Sequence, residues 1–207
     1  MSDSNGFAGD DDDDRFDPDD PQVQRLTAMA RFARRVINIP WFERVGRVLT
    51  PEEVAMADDY VAALGFPHAR VASVRSWLDA ESLAENPQWN SDWWEAEESL
   101  KSALIADALE VVHEAELMNA LNHLTAQAAG VTLEAIERAA EIATYQPDGG
   151  EESFLNAAAG IAVAACFQAS LVLAAGEEET HPFALKFRLL EAGRLPLGIA
   201  GTTFSVF

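Results

Sequence analysis

The residues whose types and spacing could support chemistry lie in one short stretch, Glu110-Val-Val-His113-Glu114. If this stretch is helical, Glu110 and His113 are three positions apart and share one face of the helix. Helix-bundle carboxylate proteins use Glu-x-x-His at this spacing to bind two iron or manganese ions. We therefore take Glu110, His113 and Glu114 as candidate ligands of a divalent metal cofactor.

A complete site of that kind needs more ligands than this stretch supplies. It requires a second Glu-x-x-His pair and two further carboxylates. Three glutamates that would share one helical face are candidates for those carboxylates: Glu134, Glu137 and Glu141. The alternative is a surface or half-buried cluster in which His113 pairs with Glu110 or Glu114.

Other catalytic signatures are absent from the sequence. It contains no glycine-rich phosphate loop, no nucleophile elbow and no Cys-x-x-Cys. The single cysteine, Cys166, lies in an apolar, Ala-rich stretch and is expected to be a small buried residue rather than a nucleophile. One cysteine cannot form an intramolecular disulfide, which is consistent with a cytoplasmic protein. No catalytic residue is predicted, and whether the protein is an enzyme stays open.

The charge of the chain disfavours two classes of partner. The formal net charge is −21, from 35 acidic and 14 basic side chains. Nucleic-acid binders gather cationic side chains on one face, and anionic membranes attract basic segments, so neither partner is expected. Residues 22–47 reverse the sign, with six Arg against Glu43 alone. This segment either pairs with the acidic remainder of the chain or binds a partner.

Periodicity and capping residues predict a series of helices. Pro21 opens a helix that ends before Pro40, and Thr50-Pro51-Glu52-Glu53 is a capping box for a helix that ends at Gly65. Further helices are predicted at 69–84, from Asp92 to Gly130, from Thr132 to about Tyr145, at 151–175, and at 182–192 with Thr180 as its cap.

The run from Asp92 to Gly130 is too long for a compact body. As one straight helix, residues 92–129 would span about 57 Å. A compact chain of this length has a radius of gyration of roughly 17 Å. We expect a break near Asn119 or Asn122, because their side chains compete for backbone hydrogen bonds.

The segment Phe154–Ala175 has no charged residue over its 22 positions. Its length would allow a membrane span. It is rich in alanine, however, and is flanked by Glu rather than by Lys or Arg. We therefore expect a central core helix in a soluble protein and no membrane partner.

Two apolar features leave alternatives open. Four tryptophans surround the 85–91 loop, where they either fill a joint between helices or form a recognition surface: Trp77, Trp89, Trp93 and Trp94. Residues 194–207 are expected to be extended, and the part from Leu195 to Phe207 has many apolar residues and no charged side chain. They either close the helical core or present a strand to a partner.

These observations predict an all-α fold, a compact bundle of about six to seven helices with an extended apolar C-terminal segment. Residues 1–20, with nine Asp and one Arg, are predicted to be a disordered acidic tail, and 21–207 a single helical domain. The leading hypothesis for function is a non-enzymatic protein that binds another protein. The alternative is a metal-binding carboxylate bundle. The oligomeric state stays open.

Overall fold

A computed structural model describes residues 17–85, 88–146 and 154–207. The fold is mostly helical and compact, as predicted, with one small sheet. The described residues form seven helices: α1 (Pro21–Val36), α2 (Pro51–Ala63), α3 (Trp77–Ala84), α4 (Ser91–Leu109), α5 (Glu114–Ile142), α6 (Phe154–Ala175) and α7 (Pro182–Glu191). They also form three strands: β1 (Arg70–Ser73), β2 (Pro196–Ala200) and β3 (Thr203–Val206).

Local capping signals place several helix starts. The capping box of α2 is present, since Thr50 Oγ1 accepts from Glu53 N and Glu53 Oε2 accepts from Thr50 N. Two other predicted caps are wrong by one or two positions. Asn90, rather than Asp92, caps α4, and His181, rather than Thr180, caps α7. In both cases a neighbouring side chain reaches the free N–H groups of the first turn.

The helix predicted at 69–84 is only half correct. Its first residues form β1, and helix α3 begins after the Ser76 cap. Strand β1 pairs in parallel with β3, which also pairs with β2 in antiparallel fashion, so β3 is the central strand. The strand conformation therefore depends on a segment more than 120 residues away, which local periodicity does not reveal.

The long helical run breaks, but not where the asparagines predicted. Helix α4 ends at Leu109 and α5 starts at Glu114, so the break lies at residues 110–113. Helix α5 then continues through Gly130 and Thr132, which were predicted to separate two helices. Thr132 is buried within α5, and its hydroxyl donates to Ala128 O at 2.7 Å instead of capping a new helix.

Helix α6 is the centre of the helical core. It packs against α1, α4, α5 and α7, and 12 of its side chains are buried. Among the described helices it alone is long and apolar enough to cross a membrane, and 61% of its most apolar window is buried inside the protein.

The C-terminal segment is extended, as predicted, and its side chains are buried. Leu195 and Phe207 exchange backbone hydrogen bonds of 2.7 and 2.8 Å, which closes the β2–β3 hairpin at its open end. Six apolar residues of this segment are buried: Leu195, Leu197, Ile199, Phe204, Val206 and Phe207. The hairpin thus covers the core, in agreement with the first of the two alternatives.

Some predictions fall outside the described residues. Most of the predicted acidic tail, residues 1–16, lies there, as do residues 147–153. Within the described part, Asp20 accepts a hydrogen bond from Gln22 N at 2.8 Å and caps α1. The last residue of the predicted tail therefore belongs to the first helix.

Candidate functional site

The predicted metal ligands lie at the break between α4 and α5. Glu110 follows the last residue of α4, and His113 is the N-cap residue of α5. All three candidates, Glu110, His113 and Glu114, are exposed. Because the helix is interrupted between Glu110 and His113, the single helical face assumed for them is not formed. The backbone N–H of His113 instead donates to Gln22 Oε1 at 3.0 Å, which ties the break to α1.

A three-ligand metal site is not seen in the described part of the chain. No group of three or more His, Cys, Asp or Glu side chains there is placed to hold a metal ion. Of the further carboxylates, Glu134 pairs with Arg138 at 2.6 Å, whereas Glu137 and Glu141 are exposed. Metal binding stays a prediction, which metal analysis of the purified protein would test.

The Arg-rich segment pairs in part with the acidic body. Arg44 contacts Glu53 at 3.3 Å, and Arg35 forms an ion pair with Glu191 on α7. Arg194 is fully buried and donates to three carbonyls at the end of this segment, those of residues 44 and 47 and of residue 48, which follows it. It also donates to Glu53 at 2.8 Å. A single buried guanidinium thus fixes the segment on the start of α2.

Glu53 receives enough donors to remain charged in this buried position. Burial raises the pKa of its carboxyl group, but the hydrogen bonds from Arg194 and the Thr50 backbone and the charges of Arg194 and Arg44 outweigh burial. The pKa of the Glu53 carboxyl group is therefore below its ordinary value. The ion pair follows from the fold, because Glu53 lies at the start of α2, Arg194 lies just after the end of α7, and α2 packs against α7.

A second buried ion pair joins α4 to α7. Lys186 Nζ contacts both carboxylate oxygens of Glu97, at 2.6 and 2.9 Å. The Gln168 side chain contacts both partners, and the Tyr60 hydroxyl donates to Glu97 at 2.5 Å. Trp93 Nε1 donates to the Tyr60 oxygen at 2.9 Å. Burial, and then the Glu97 charge, raise the pKa of Tyr60 well above its ordinary value, so the phenol stays protonated.

The four tryptophans divide between the two predicted roles. Trp77 is buried and stacks on Tyr145 at a centroid distance of 5.0 Å. Trp89 and Trp93 lie 6.1 Å apart and enclose Gly198, whose missing side chain leaves room for both indole rings. Trp94 is 58% exposed. Three of the four thus fill joints in the structure, and only Trp94 presents a large apolar surface.

An open apolar groove lies between α4 and α5, with α6 as its floor. The helices α4 and α5 diverge from the break at 110–113, so each packs on α6 while they barely contact one another. The groove has a volume of about 630 Å³. We call it the α6 groove, and its lining is Glu98, Lys101, Ile105, Thr125, Ala129, Leu133, Asn156, Ala159, Gly160, Val163, Ala164, Phe167 and Gln168.

Small residues on α6 make the groove deep. Gly160 and Ala164, one turn apart, are exposed along the floor, between the partly buried Val163 and Phe167. A Cβ atom added at Gly160 would meet no other atom within 4 Å. Gly160 is also not among the glycines with positive φ. Within residues 17–85, 88–146 and 154–207, neither backbone conformation nor packing therefore requires a glycine there.

Polar groups in the α6 groove are few and mostly paired. Lys101 Nζ binds Glu98 at 2.5 Å on the α4 side. The Thr125 hydroxyl donates to the Leu121 carbonyl of its own helix at 2.9 Å. A second depression, of about 610 Å³, has a charged lining that includes Glu43, Arg47 and Arg138. The α6 groove is the more apolar of the two.

The α6 groove was not predictable from the sequence pattern. Its floor belongs to a segment that is apolar on every face, so no amphipathic pattern marks the exposed side. The one local signal was the glycine within a predicted helix, since such a residue disfavours the helix unless something must approach it closely.

Comparisons with known proteins give no further information on the site. A scan against protein-family models found no match, and searches of curated proteins and of solved structures found no similar chain.

Proposed function

We propose that the protein is a non-enzymatic binding protein that docks an α-helix of another protein in the α6 groove. The observation that carries the proposal is an open, apolar groove of about 630 Å³ bounded by three helices. Apolar surface of this kind on a folded protein marks a contact site. The single cysteine and the core position of α6 support a cytoplasmic location for this activity.

The dimensions of the groove fit a helix. The floor from Asn156 to Gln168 extends over about 18 Å at 1.5 Å per residue, which matches about three turns of a partner helix. A partner of this kind places apolar anchors at positions i, i+3 or i+4, and i+7 along one face. Ile105, Leu133 and Phe167 would contact those anchors from α4, α5 and α6 respectively.

The lining supports binding rather than catalysis. General acid–base and nucleophilic catalysis need a reactive group within hydrogen-bond distance of a base and of the substrate. Glu98 and Lys101 pair with each other, and Thr125 bonds to its own helix. The only cysteine, Cys166, is buried, and burial raises its pKa to about 12. It is therefore a poor nucleophile.

The unexplained glycine supports close approach of a partner. A glycine in a helix interior is about 1 kcal/mol less favourable than alanine. No contact among the described residues explains Gly160. Together with Ala164 it forms a small-residue pair at i, i+4 on the groove floor, where a partner helix could pack backbone against backbone.

A peptide selection tests the proposal. A library of random peptides about 16 residues long would be selected on the wild-type protein and, in parallel, on Gly160→Trp, whose indole fills the groove. We expect wild-type-dependent sequences with apolar residues at helical spacing. Selection of the same sequences on both proteins, or of none, would contradict the proposal. Circular dichroism and thermal melting of Gly160→Trp would show that it is folded.

A further inference from the structure

The charge around the α6 groove points to the class of partner. We infer that the docked segment is a basic amphipathic helix, with an apolar face on the floor and Lys or Arg on both flanks. This inference rests on the proposed function. It adds the chemistry of the partner, which the apolar floor alone does not determine.

The two helices that form the sides of the groove are strongly acidic. Together α4 and α5 contain ten Asp and Glu, but only one Lys and one Arg. Both cations pair with a glutamate on their own helix, Lys101 with Glu98 and Arg138 with Glu134. Both cations on α4 and α5 are thus already neutralised by a glutamate, whereas most of the acidic side chains on these helices have no cationic partner there.

Each side of the groove has an exposed carboxylate that forms no ion pair with a described residue. Glu95 is one turn before the lining residue Glu98 on α4, and Glu137 continues the i, i+4 row of Thr125, Ala129 and Leu133 on α5. Both are exposed. Within the described part of the chain, neither forms an ion pair. A helix seated on α6 would therefore have an unpaired carboxylate on each side of it.

The same charge disfavours the other occupants of an apolar groove. A second copy of the chain would bring another −21 charge to the interface, and like charges in close juxtaposition oppose association. An anionic lipid surface is repelled for the same reason. A basic helix satisfies the apolar floor and the acidic rims together, and electrostatic attraction would also speed its encounter with the groove.

Three synthetic peptides test the inference. Each has 18 residues and the same leucine face, and the polar face carries lysine, glutamine or glutamate. Binding to the full chain would be measured by fluorescence anisotropy at two salt concentrations. We expect the lysine peptide to bind at least about tenfold more tightly than the glutamate peptide, with the difference decreasing at high salt.

Charge-reversal variants locate the effect. The double variant Glu95→Lys/Glu137→Lys replaces one carboxylate on each side of the groove with a cation. It should lower the affinity for the lysine peptide by about tenfold. The matched control is Asp58→Lys/Asp59→Lys, because both residues are exposed on α2 and the net charge changes by the same amount. The control should bind the lysine peptide within about twofold of wild type.

The outcomes separate the two proposals. If the three peptides bind wild type with equal affinity and none binds Gly160→Trp, the inference of a basic helix is overturned, but helix docking is supported. If no peptide distinguishes wild type from Gly160→Trp, helix docking itself fails. Self-association, or binding to phosphatidylcholine vesicles, that is lost in Gly160→Trp would overturn the inference in favour of a second copy or a lipid.

Discussion

The two sides of the molecule differ in which groups they bury: one buries charged side chains, and the other leaves apolar side chains exposed. On one side, α2, α7 and the sheet form what we call the closed half, where charged side chains are buried. Arg194 and Glu53 are 0% and 2% exposed, and Lys186 is 5% exposed. On the other side, α4, α5 and α6 form the open half, where the apolar floor of the α6 groove meets solvent.

The difference shows where the fold is complete and where it is not. Buried ion pairs are tolerated only when each charge has its partner and its hydrogen bonds, so the closed half must be fully assembled. The α6 groove has no such requirement, since small apolar residues can be exposed without leaving a polar group unpaired. Under the docking proposal, a partner helix would cover this exposed floor.

Removal of the C-terminal hairpin should give the largest effect. Truncation after Arg194 deletes six buried apolar side chains, each of which contributes about 1.5–3 kcal/mol when buried. The sum is comparable to the whole stability of a typical domain. We expect insoluble protein or loss of cooperative melting by circular dichroism. Trp94→Ala, at an exposed aromatic position, is the control. A truncated protein that melts like wild type would show that the hairpin does not close the core.

Disruption of the Glu97–Lys186 pair should be the next largest effect. Lys186→Met leaves the Glu97 carboxylate buried without its cation, and we expect a loss of about 3–5 kcal/mol in denaturant unfolding. The double variant Glu97→Met/Lys186→Met removes both charges and should recover at least half of that loss. Additive losses in the double variant would show that the two side chains are not coupled across the contact between α4 and α7.

Alkaline pH should destabilise the protein through ionisation of Tyr60, which lies in the closed half. Burial and the Glu97 charge raise the pKa of Tyr60 in the folded state. The folded protein therefore holds its proton more tightly than the unfolded chain, whose phenol titrates near pH 10. The contribution to stability is complete below that pH and is lost as pH rises further. Denaturant unfolding at a series of pH values would measure this loss.

The variant Tyr60→Phe is the control for the alkaline effect. It cannot ionise, so its stability should decrease less steeply above pH 10 than that of wild type. Parallel curves for the two proteins would show that another group, such as the buried thiol of Cys166 with a pKa of about 12, dominates the alkaline response.

A pair of glycine substitutions should give the smallest effect and the sharpest test of the open half. Gly130 and Gly160 lie within helices, and a Cβ at either would meet no atom within 4 Å. Gly130→Ala and Gly160→Ala should each stabilise the protein by about 0.5–1 kcal/mol in thermal melting. Only Gly160→Ala, on the groove floor, should weaken binding of a helical peptide. Equal effects on binding would remove the argument for close approach at Gly160.

The helices were largely predictable because their signals are local. The Thr50–Glu53 capping box and the apolar run of α6 act through contacts within a turn or two, so the sequence alone indicates them. The extended C-terminal segment was also predictable from its Gly, Pro and β-branched residues. The candidate metal site depends on an equally local pattern, which requires a continuous helix across 110–113.

Long-range contacts decided the rest. Glu97 meets Lys186 across 89 positions and Glu53 meets Arg194 across 141, and neither pairing leaves a periodic mark in the sequence. Strand β1 forms because β3 lies beside it, and the α4–α5 break places two helices apart on α6. The sequence by itself determined that the fold is mostly helical, where most of the helices lie, and that the chain is acidic. Only the tertiary structure decided which charges are buried and which side of α6 is left uncovered, because those properties depend on how distant segments pack.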